Sequence, residues 1–187
     1  QQFLGADVRI VRVDEYARID LSHLASLVDD RTAVVSVQHA NNEIGSVQPV
    51  RDIASIAHAS GAWFHCDAVQ TPITVPFTLA DLGADLVTLS SHKIYGPGGS
   101  GALYSCVPIQ PVHVGGAQER GLRAGSENVL GSVGFGVAAA LQTMRLQSGC
   151  DAIQKVAALV AKLRAQLETL PNITINTPRE DAISTML

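Results

Sequence analysis

Apolar residues recur along this chain with two different spacings, which predict two kinds of secondary structure. Short apolar runs have the length of β-strands. Between them, apolar residues return every three or four positions, as they do in amphipathic helices. Strands are expected at 6–13, 32–37, 62–66, 84–89 and 102–104. Helices are expected at 20–28, 50–59, 128–141 and 153–170. Strands and helices therefore alternate through most of the chain.

Boundary residues refine several of these elements. Asp20 fits the N-cap of the first helix, and Pro49 is expected in the first turn of the second. The β-branched run at 32–37 predicts a strand that is buried on both faces. The solvent side of the last helix is expected to carry three basic residues: Lys155, Lys162 and Arg164.

The alternation of strands with helical crossovers predicts an α/β fold, a doubly wound and mostly parallel sheet with helices on both faces. Ligands bind such sheets outside the carboxyl ends of the strands. Three successive strands are followed there by polar residues: Asn41 and Asn42, then Asp67 and Gln70, then Ser90, His92 and Lys93. We therefore expect these side chains at one edge of the sheet.

Composition narrows the class of protein. The chain has 187 residues, of which 47% are hydrophobic, and this is typical of a compact globular protein. A net charge of −4 argues against a general nucleic-acid binder. We find no apolar run of about 18 residues, so no transmembrane helix is predicted. Cys66, Cys106 and Cys150 lie far apart, without a C-x-x-C pair, which favours a reducing, cytoplasmic compartment.

The two ends of the sequence lack the usual boundary signals. Residues 1–4 resemble the tail of a helix, and 183–187 is an apolar run without a turn after it. We therefore expect an internal piece of a longer protein. Residues 1–148 would form most of a large domain, and 149–187 would begin a small one, with strands at 173–175 and 183–187.

Asp67 and Lys93 are the two residues with the most suggestive positions, and each has two interpretations. Asp67 ends an apolar strand, where a carboxylate is costly unless a positive group meets it. It could cap a helix or form an ion pair, or it could face the protonated nitrogen of a pyridine cofactor. Lys93 could be a surface lysine in a glycine-rich loop, or a nucleophile for a cofactor aldehyde. Ser90 and His92 could bind a phosphate or simply shape the turn.

Two other sequence patterns do not predict a ligand site, because the residues around them do not fit one. Residues 96–101 match G-x-G-x-x-G, but a strand follows them where the dinucleotide motif requires a helix. His39, His113 and Glu119 lack the spacing of metal ligands, so no metal site is predicted. The polar segment 119–128 either is a solvated loop with Ser126 as the N-cap of the next helix, or has a role that its composition does not reveal.

Four segments together resemble a known family. They are ANNEIG at 40–45, HCDAVQ at 65–70, SSHKIYGP at 90–97 and ERGLRAGSEN at 119–128. In this order and spacing they are similar to the cysteine desulfurases of the class V aminotransferase group, which have fold type I of the pyridoxal-phosphate enzymes. The similarity extends over nearly the whole chain.

The resemblance implies pyridoxal 5'-phosphate as cofactor and a role for each matching residue. Lys93 would bond to the cofactor aldehyde and then act as the acid–base catalyst. Asp67 would pair with the pyridine nitrogen, while Gln70 and Asn42 would lie near the phenolic oxygen. Ser90 and His92 would bind the phosphate. Ser126 stands where the family has a threonine that reaches the cofactor phosphate of a second subunit, which implies a homodimer.

The resemblance also implies an activity, the conversion of L-cysteine to L-alanine. The sulfur would pass to an acceptor protein for iron–sulfur cluster or thio-cofactor and tRNA synthesis. The family's sulfur-carrying cysteine and its carboxylate-binding arginine would lie beyond Leu187, and no cysteine of this chain matches the former. The 187 residues alone are therefore expected to be inactive. Two alternatives stay open, another class V enzyme (an aminotransferase or a lyase) and a non-catalytic piece.

Overall fold

Four strands form one sheet in the computed structural model, which describes residues 5–149 and 151–187. The strands are β1 (Val34–Gln38), β2 (Trp63–Asp67), β3 (Leu86–Ser90) and β4 (Gly101–Ser105), and they lie side by side in that order. The first three are parallel, and β4 is antiparallel to β3. The predicted α/β class with a mostly parallel sheet is therefore confirmed.

The helices are α1 (Leu21–Leu27), α2 (Val50–Ala59), α3 (Leu79–Leu82), α4 (Val129–Gln147) and α5 (Asp151–Leu167). Short 3-10 turns lie at Thr71–Ile73, Ser91–Ile94 and Gln118–Gly121. Asp20 caps α1 as predicted, because its carboxylate accepts a hydrogen bond from the His23 N–H. Pro49 occupies the N-cap position of α2, one residue earlier than expected.

The core lies on one face of the sheet. Phe64 and Cys66 of β2 and Val87 of β3 are fully buried there, against Ile53 and Ala57 of α2. Side chains alternate between the two faces of a strand. The neighbours of these residues therefore point the other way.

The opposite face is only partly covered by the described residues. Val34 is 48% exposed and Trp63 is 41% exposed, whereas the adjacent Val35 and Phe64 are buried. The prediction that 32–37 is buried on both faces is therefore wrong for the part of the chain that the structure describes. A β-branched run indicates a strand, but it does not reveal what covers each side of it.

The strand predicted at 6–13 is wrong as well. These residues are extended, but Val13 makes only an isolated bridge with Ile19, and Val8 and Ile10 are exposed. A strand requires a neighbour for its N–H and C=O groups. No strand partner lies beside 6–11 within residues 5–149 and 151–187, and Arg12 only accepts a single backbone bond from the Asp20 N–H at 3.0 Å.

The strands predicted at 173–175 and 183–187 do not form either. Instead, the end of the chain packs on the turn that follows β1. The N–H of Ile183 donates to the Gly45 carbonyl, the N–H of Val47 donates to the Asp181 carbonyl, both at 2.7 Å, and Ile183 is buried. The domain boundary at 148/149 stays a prediction. The helix tail expected at residues 1–4 lies outside the described residues, as does Cys150.

α4 differs from the helix predicted at 128–141 in three ways. Its N-cap is Asn128, which accepts from the Gly131 N–H at 3.0 Å, so Ser126 is not the cap. It continues to Gln147, six residues beyond the predicted end. It is also long and apolar enough, by length and composition alone, to cross a membrane, although no such helix was predicted.

One side of α4 packs against protein. Gln142 is buried, and its side-chain amide donates to the Ile73 carbonyl at 2.9 Å. The other side carries an exposed apolar stripe, which we call the α4 stripe: Val129, Val133, Val137, Leu141 and Met144. On α5, Lys155 and Lys162 are exposed as predicted. Arg164 is not, because it is half-buried and donates to the Thr177 carbonyl.

Candidate active site at the carboxyl edge of the sheet

Asp67 ends β2 at the carboxyl edge of the parallel strands. Its main-chain carbonyl accepts from the His39 N–H at 2.8 Å, and one carboxylate oxygen accepts from the Val69 N–H at 3.0 Å. In the register of the sheet, Asp67 lies between Gln38 of β1 and Thr88 of β3. Its carboxylate is half-buried and has no cationic partner among the described residues.

Lys93 lies in the tight turn that directly follows β3. The buried Ser91 anchors this turn: its N–H donates to the Ser100 carbonyl, and its carbonyl accepts from the Gly96 N–H, each at 3.0 Å. Tyr95 closes the turn in the left-handed region, with φ of 65°. A Cβ at Gly96 would lie 2.3 Å from Ser91 Oγ, so glycine is required there.

This turn leaves Lys93 half-buried. Within residues 5–149 and 151–187 its ammonium group has neither a hydrogen bond nor an ion pair. Three residues before Lys93, Ser90 Oγ lies 2.9 Å from His92 Nδ1. The hydroxyl and the imidazole therefore stand together at the base of the turn, where both can contact an anion.

Gln70 and Asn42 contribute amide groups to the same edge. Gln70 precedes the 3-10 turn at Thr71–Ile73, and its Oε1 is buried without a hydrogen-bond donor in the described chain. Asn42 is exposed in the turn after β1. That turn is shaped by Asn41, whose side-chain oxygen accepts from the N–H groups of Glu43 and Ile44.

Ser126 is the predicted site residue that does not join this cluster. It is exposed in the loop before α4 and makes no hydrogen bond to the described residues. Nearby, Gly125 has φ of 107°, and Glu119 and Arg120 also have positive φ, so the loop is irregular. The other six predicted residues lie at or after the ends of β1, β2 and β3. The strand order therefore brings them to one edge.

The polar face of the sheet holds three residues, one on each of β1, β2 and β3, that were not singled out from the sequence. His65 Nδ1 lies 2.8 Å from Ser36 Oγ, and His65 Nε2 lies 2.7 Å from Thr88 Oγ1. His65 and Asp67 are two positions apart and so share a face. Strand alternation from Asp67 would have indicated His65, but the pairing with Ser36 and Thr88 needs the register between strands.

An apolar cavity lies close to this edge of the sheet. It has a volume of about 480 Å³ and lies between α4 and the sheet, with Leu89, Ile94, Phe135 and Ala139 among its lining residues. Ser90 borders it, but Lys93, Asp67 and Gln70 do not. An apolar cavity of this kind offers no charge for a phosphate, so it is not the cofactor site.

The described cysteines are unsuited to nucleophilic chemistry at this edge. Cys66 is fully buried on the core face, opposite Asp67 as predicted, and burial together with the charge of Asp67 raises its pKa to about 12. A thiol in this state is not ionised at neutral pH. Cys106 follows β4 at the other end of the sheet, near Asp85.

The sequence and the fold both match known proteins. The family model for class-V aminotransferases matches residues 1–187. Cysteine desulfurase IscS of Anaeromyxobacter sp. (strain Fw109-5) is 42% identical over 92% of this chain and 43% of its own length. Cysteine desulfurase IscS of Dictyoglomus turgidum is 34% identical over 96% of this chain and 46% of its own.

Solved structures agree with these relatives. A NifS-like protein matches 98% of this chain and 50% of its own, with a TM-score of 0.89 and 38% identity. The NifS-like protein from Rickettsia africae ESF-5 matches 97% of this chain and 51% of its own, with a TM-score of 0.87 and 33% identity. The chain thus spans about half the length of the relatives it matches. Together with the geometry at the sheet edge, these similarities show that the chain belongs to the aminotransferase class-V family.

Proposed function

We propose that the full-length protein is a pyridoxal-phosphate-dependent cysteine desulfurase, which converts L-cysteine to L-alanine and passes the sulfur to an acceptor protein. The observation that carries this proposal is the half-buried Lys93, which has no partner among the described residues, at the edge of the sheet that it shares with Asp67. Several relatives at 34–46% identity are cysteine desulfurases, which supports the same reaction class.

The residues at this edge fit the three polar parts of pyridoxal phosphate. Lys93 offers a free amine for the aldehyde, and Ser90 with His92 offers donors for the phosphate. Asp67 offers a carboxylate for the protonated ring nitrogen. Gln70 Oε1 is buried and has no donor in the part of the chain that the structure describes, and such an acceptor costs free energy unless a ligand satisfies it. The phenolic side of the cofactor ring would be its natural partner.

When bound, the cofactor acts as an electron sink for the substrate. The residues of the chain would hold it and move protons. Asp67 would favour the charged form of the ring nitrogen, because opposite charges in a half-buried site attract strongly. Lys93 Nζ would take a proton from the substrate and return one to the product, which is general acid–base catalysis. Ser90 and His92 would keep the ring in place during these transfers.

We further propose a homodimer. Ser126 is exposed in the loop before α4 and does not stand at the end of a parallel strand, and the α4 stripe begins three residues after it. An exposed apolar stripe of this length is typical of a surface that another protein segment covers. A second subunit could cover it while presenting Ser126 to the cofactor phosphate. We also propose a cytoplasmic location and a role in iron–sulfur cluster or thio-cofactor and tRNA synthesis, in line with the resemblance.

Reductive trapping tests the proposal. The full-length protein is incubated with pyridoxal phosphate, reduced with borohydride and digested, and the labelled lysine is identified by mass spectrometry. Label at Lys93, with Lys155 unlabelled as an exposed control, is the expected result. A second portion of the pyridoxal-phosphate-loaded protein, neither reduced nor digested, is given L-cysteine, and alanine and sulfide are measured.

The outcomes separate the alternatives. Label at Lys93 with alanine formation supports a desulfurase. Label at Lys93 without alanine formation would contradict a desulfurase and favour another class V enzyme, an aminotransferase or a lyase. Absence of label at Lys93 in the full-length protein would overturn the cofactor assignment and favour a non-catalytic protein.

A further inference from the structure

A hydrogen-bonded row of side chains crosses three strands on the face of the sheet that carries Asp67. His65 is its centre: Nδ1 lies 2.8 Å from Ser36 Oγ of β1, and Nε2 lies 2.7 Å from Thr88 Oγ1 of β3. Both ring nitrogens are therefore occupied by hydroxyl groups. In a neutral imidazole one nitrogen donates and the other accepts, and a hydroxyl can do either, so the row is fully satisfied.

The register shows where this row lies relative to the candidate active site. Ser36 is the lateral partner of His65, whereas Thr88 is the lateral partner of Asp67. The His65 ring therefore extends from the level of Ser36 to the level of Thr88, which is two residues nearer to the carboxyl edge. Neighbours on the same face of a strand are about 7 Å apart. The imidazole spans this distance, so that its Nε2 reaches Thr88, the residue that lies opposite Asp67 on β3.

The row also connects the strands that carry the site. Ser36 belongs to the strand that leads to Asn42, His65 to the strand that ends in Asp67, and Thr88 to the strand that leads to Ser90 and Lys93. Thr88 lies only two residues before Ser90. Each end of the row is held by a side-chain hydrogen bond of ordinary length, so the imidazole has one well-defined orientation.

We infer that His65 is a positioning residue for the cofactor site, because its bonds to Ser36 and Thr88 fix the lateral spacing of the strand ends under Asp67. The inference rests on the proposed function. His65 touches neither the substrate nor the cofactor in this role. It acts through Asp67, by setting where the carboxylate meets the ring nitrogen. Loss of the row would let the carboxylate shift, and the electronic state of the bound ring would change with it.

The test compares variants of the full-length protein by three measurements. These are the dissociation constant of pyridoxal phosphate, the pH midpoint of the absorption band of the bound cofactor, and the thermal unfolding temperature of the apoprotein. His65→Leu removes both hydrogen bonds, and His65→Gln retains a group that can donate and accept. His58→Leu is the matched control, because His58 bonds to Asp85 at 2.9 Å at the opposite edge of the sheet.

We expect His65→Leu to bind pyridoxal phosphate about tenfold more weakly, as the loss of one or two hydrogen bonds implies. The pH midpoint of its absorption band should move by about one unit, since a tenfold change in a protonation equilibrium is one pH unit. His65→Gln should keep both the dissociation constant and the pH midpoint close to their wild-type values. His58→Leu should lower the unfolding temperature but leave the dissociation constant and the absorption band at wild-type values.

Single-bond variants keep the test decisive if His65→Leu does not fold. Thr88→Val removes the bond nearer Asp67, and Ser36→Ala removes the farther one. Thr88→Val should move the absorption midpoint more than Ser36→Ala does. Wild-type absorption and affinity in every foldable variant of the row would overturn the inference. If instead the wild-type protein has no absorption band from a lysine-bound cofactor, the proposed function fails, and this result is distinct from an unchanged His65 variant.

Discussion

The two edges of the sheet each carry a carboxylate and histidines, yet they differ in how fully their polar groups are satisfied. At the amino edge, the Asp85 carboxylate accepts from the Phe64 N–H at 2.7 Å, from His58 at 2.9 Å and from the Cys106 thiol at 3.8 Å. At the carboxyl edge, the Asp67 carboxylate accepts from the Val69 N–H alone among the described residues.

The unpaired groups at the carboxyl edge are the more informative ones. Lys93 has no partner within the described residues, and Gln70 Oε1 is buried without a donor. Polar groups that a fold leaves unsatisfied in a half-buried place cost stability, and so they point to a ligand. The satisfied amino edge stabilises the fold instead. The contrast separates a binding site from a structural cluster more clearly than residue type does.

The largest expected effect comes from Lys93→Ala. Turnover of L-cysteine by the full-length enzyme should fall by about 10³-fold or more, because an acid–base group and the covalent anchor are lost together. The unfolding temperature should stay close to the wild-type value, since Lys93 has no partner among the described residues. Alanine formation and thermal unfolding measure the two quantities. Lys155→Ala, on the exposed side of α5, is the control, and wild-type turnover in Lys93→Ala would contradict the assignment.

Asp85→Ala tests the amino edge. It should lower the free energy of unfolding by about 3 kcal/mol, because the Phe64 N–H loses its acceptor and His58 loses its partner. Urea unfolding of the apoprotein measures the change. The affinity for pyridoxal phosphate should stay within about twofold of wild type. A variant that keeps its stability but loses the cofactor would reverse the roles of the two edges.

Gln70→Leu should separate stability from function. The substitution removes a buried, unpaired carbonyl, so the apoprotein should become more stable by about 1 kcal/mol. Cofactor binding should weaken at the same time, because the acceptor for the cofactor is gone. Urea unfolding and a titration with pyridoxal phosphate report the two changes. If the variant instead loses stability as well as cofactor affinity, Gln70 is only a packing residue.

The smallest expected effect is on the stability of the protein at acid pH. Burial alone would raise the pKa of Asp85, but the bonds from the Phe64 N–H and His58 outweigh it and hold this pKa below its usual value. A carboxyl with a lowered folded-state pKa stabilises the protein above its unfolded-state pKa of about 4, and this stability is lost as the pH falls further. The free energy of unfolding of the apoprotein should therefore decline below pH 4. Asp85→Asn should make that decline shallower, and an unchanged slope would contradict the coupling.

Strand and helix positions near the middle of the chain could be predicted from the sequence. β2, β3, α1 and α2 lie within two residues of their expected bounds, because apolar spacing and caps are local signals. The six residues that meet at the carboxyl edge could be predicted too, since parallel strands bring their ends together. The strand at 6–13 could not, because pairing depends on a neighbour that no local pattern reveals.

The α/β class and the motifs around Asp67, Lys93 and Ser126 follow from the sequence, because these depend on residue type and spacing. Which polar groups are satisfied depends on the tertiary structure. It joined Ser36, His65 and Thr88 through the register of three strands, and it placed Ile183 on the turn that carries Asn42. Register and docking arise between segments that are distant in the chain, so no local pattern contains them.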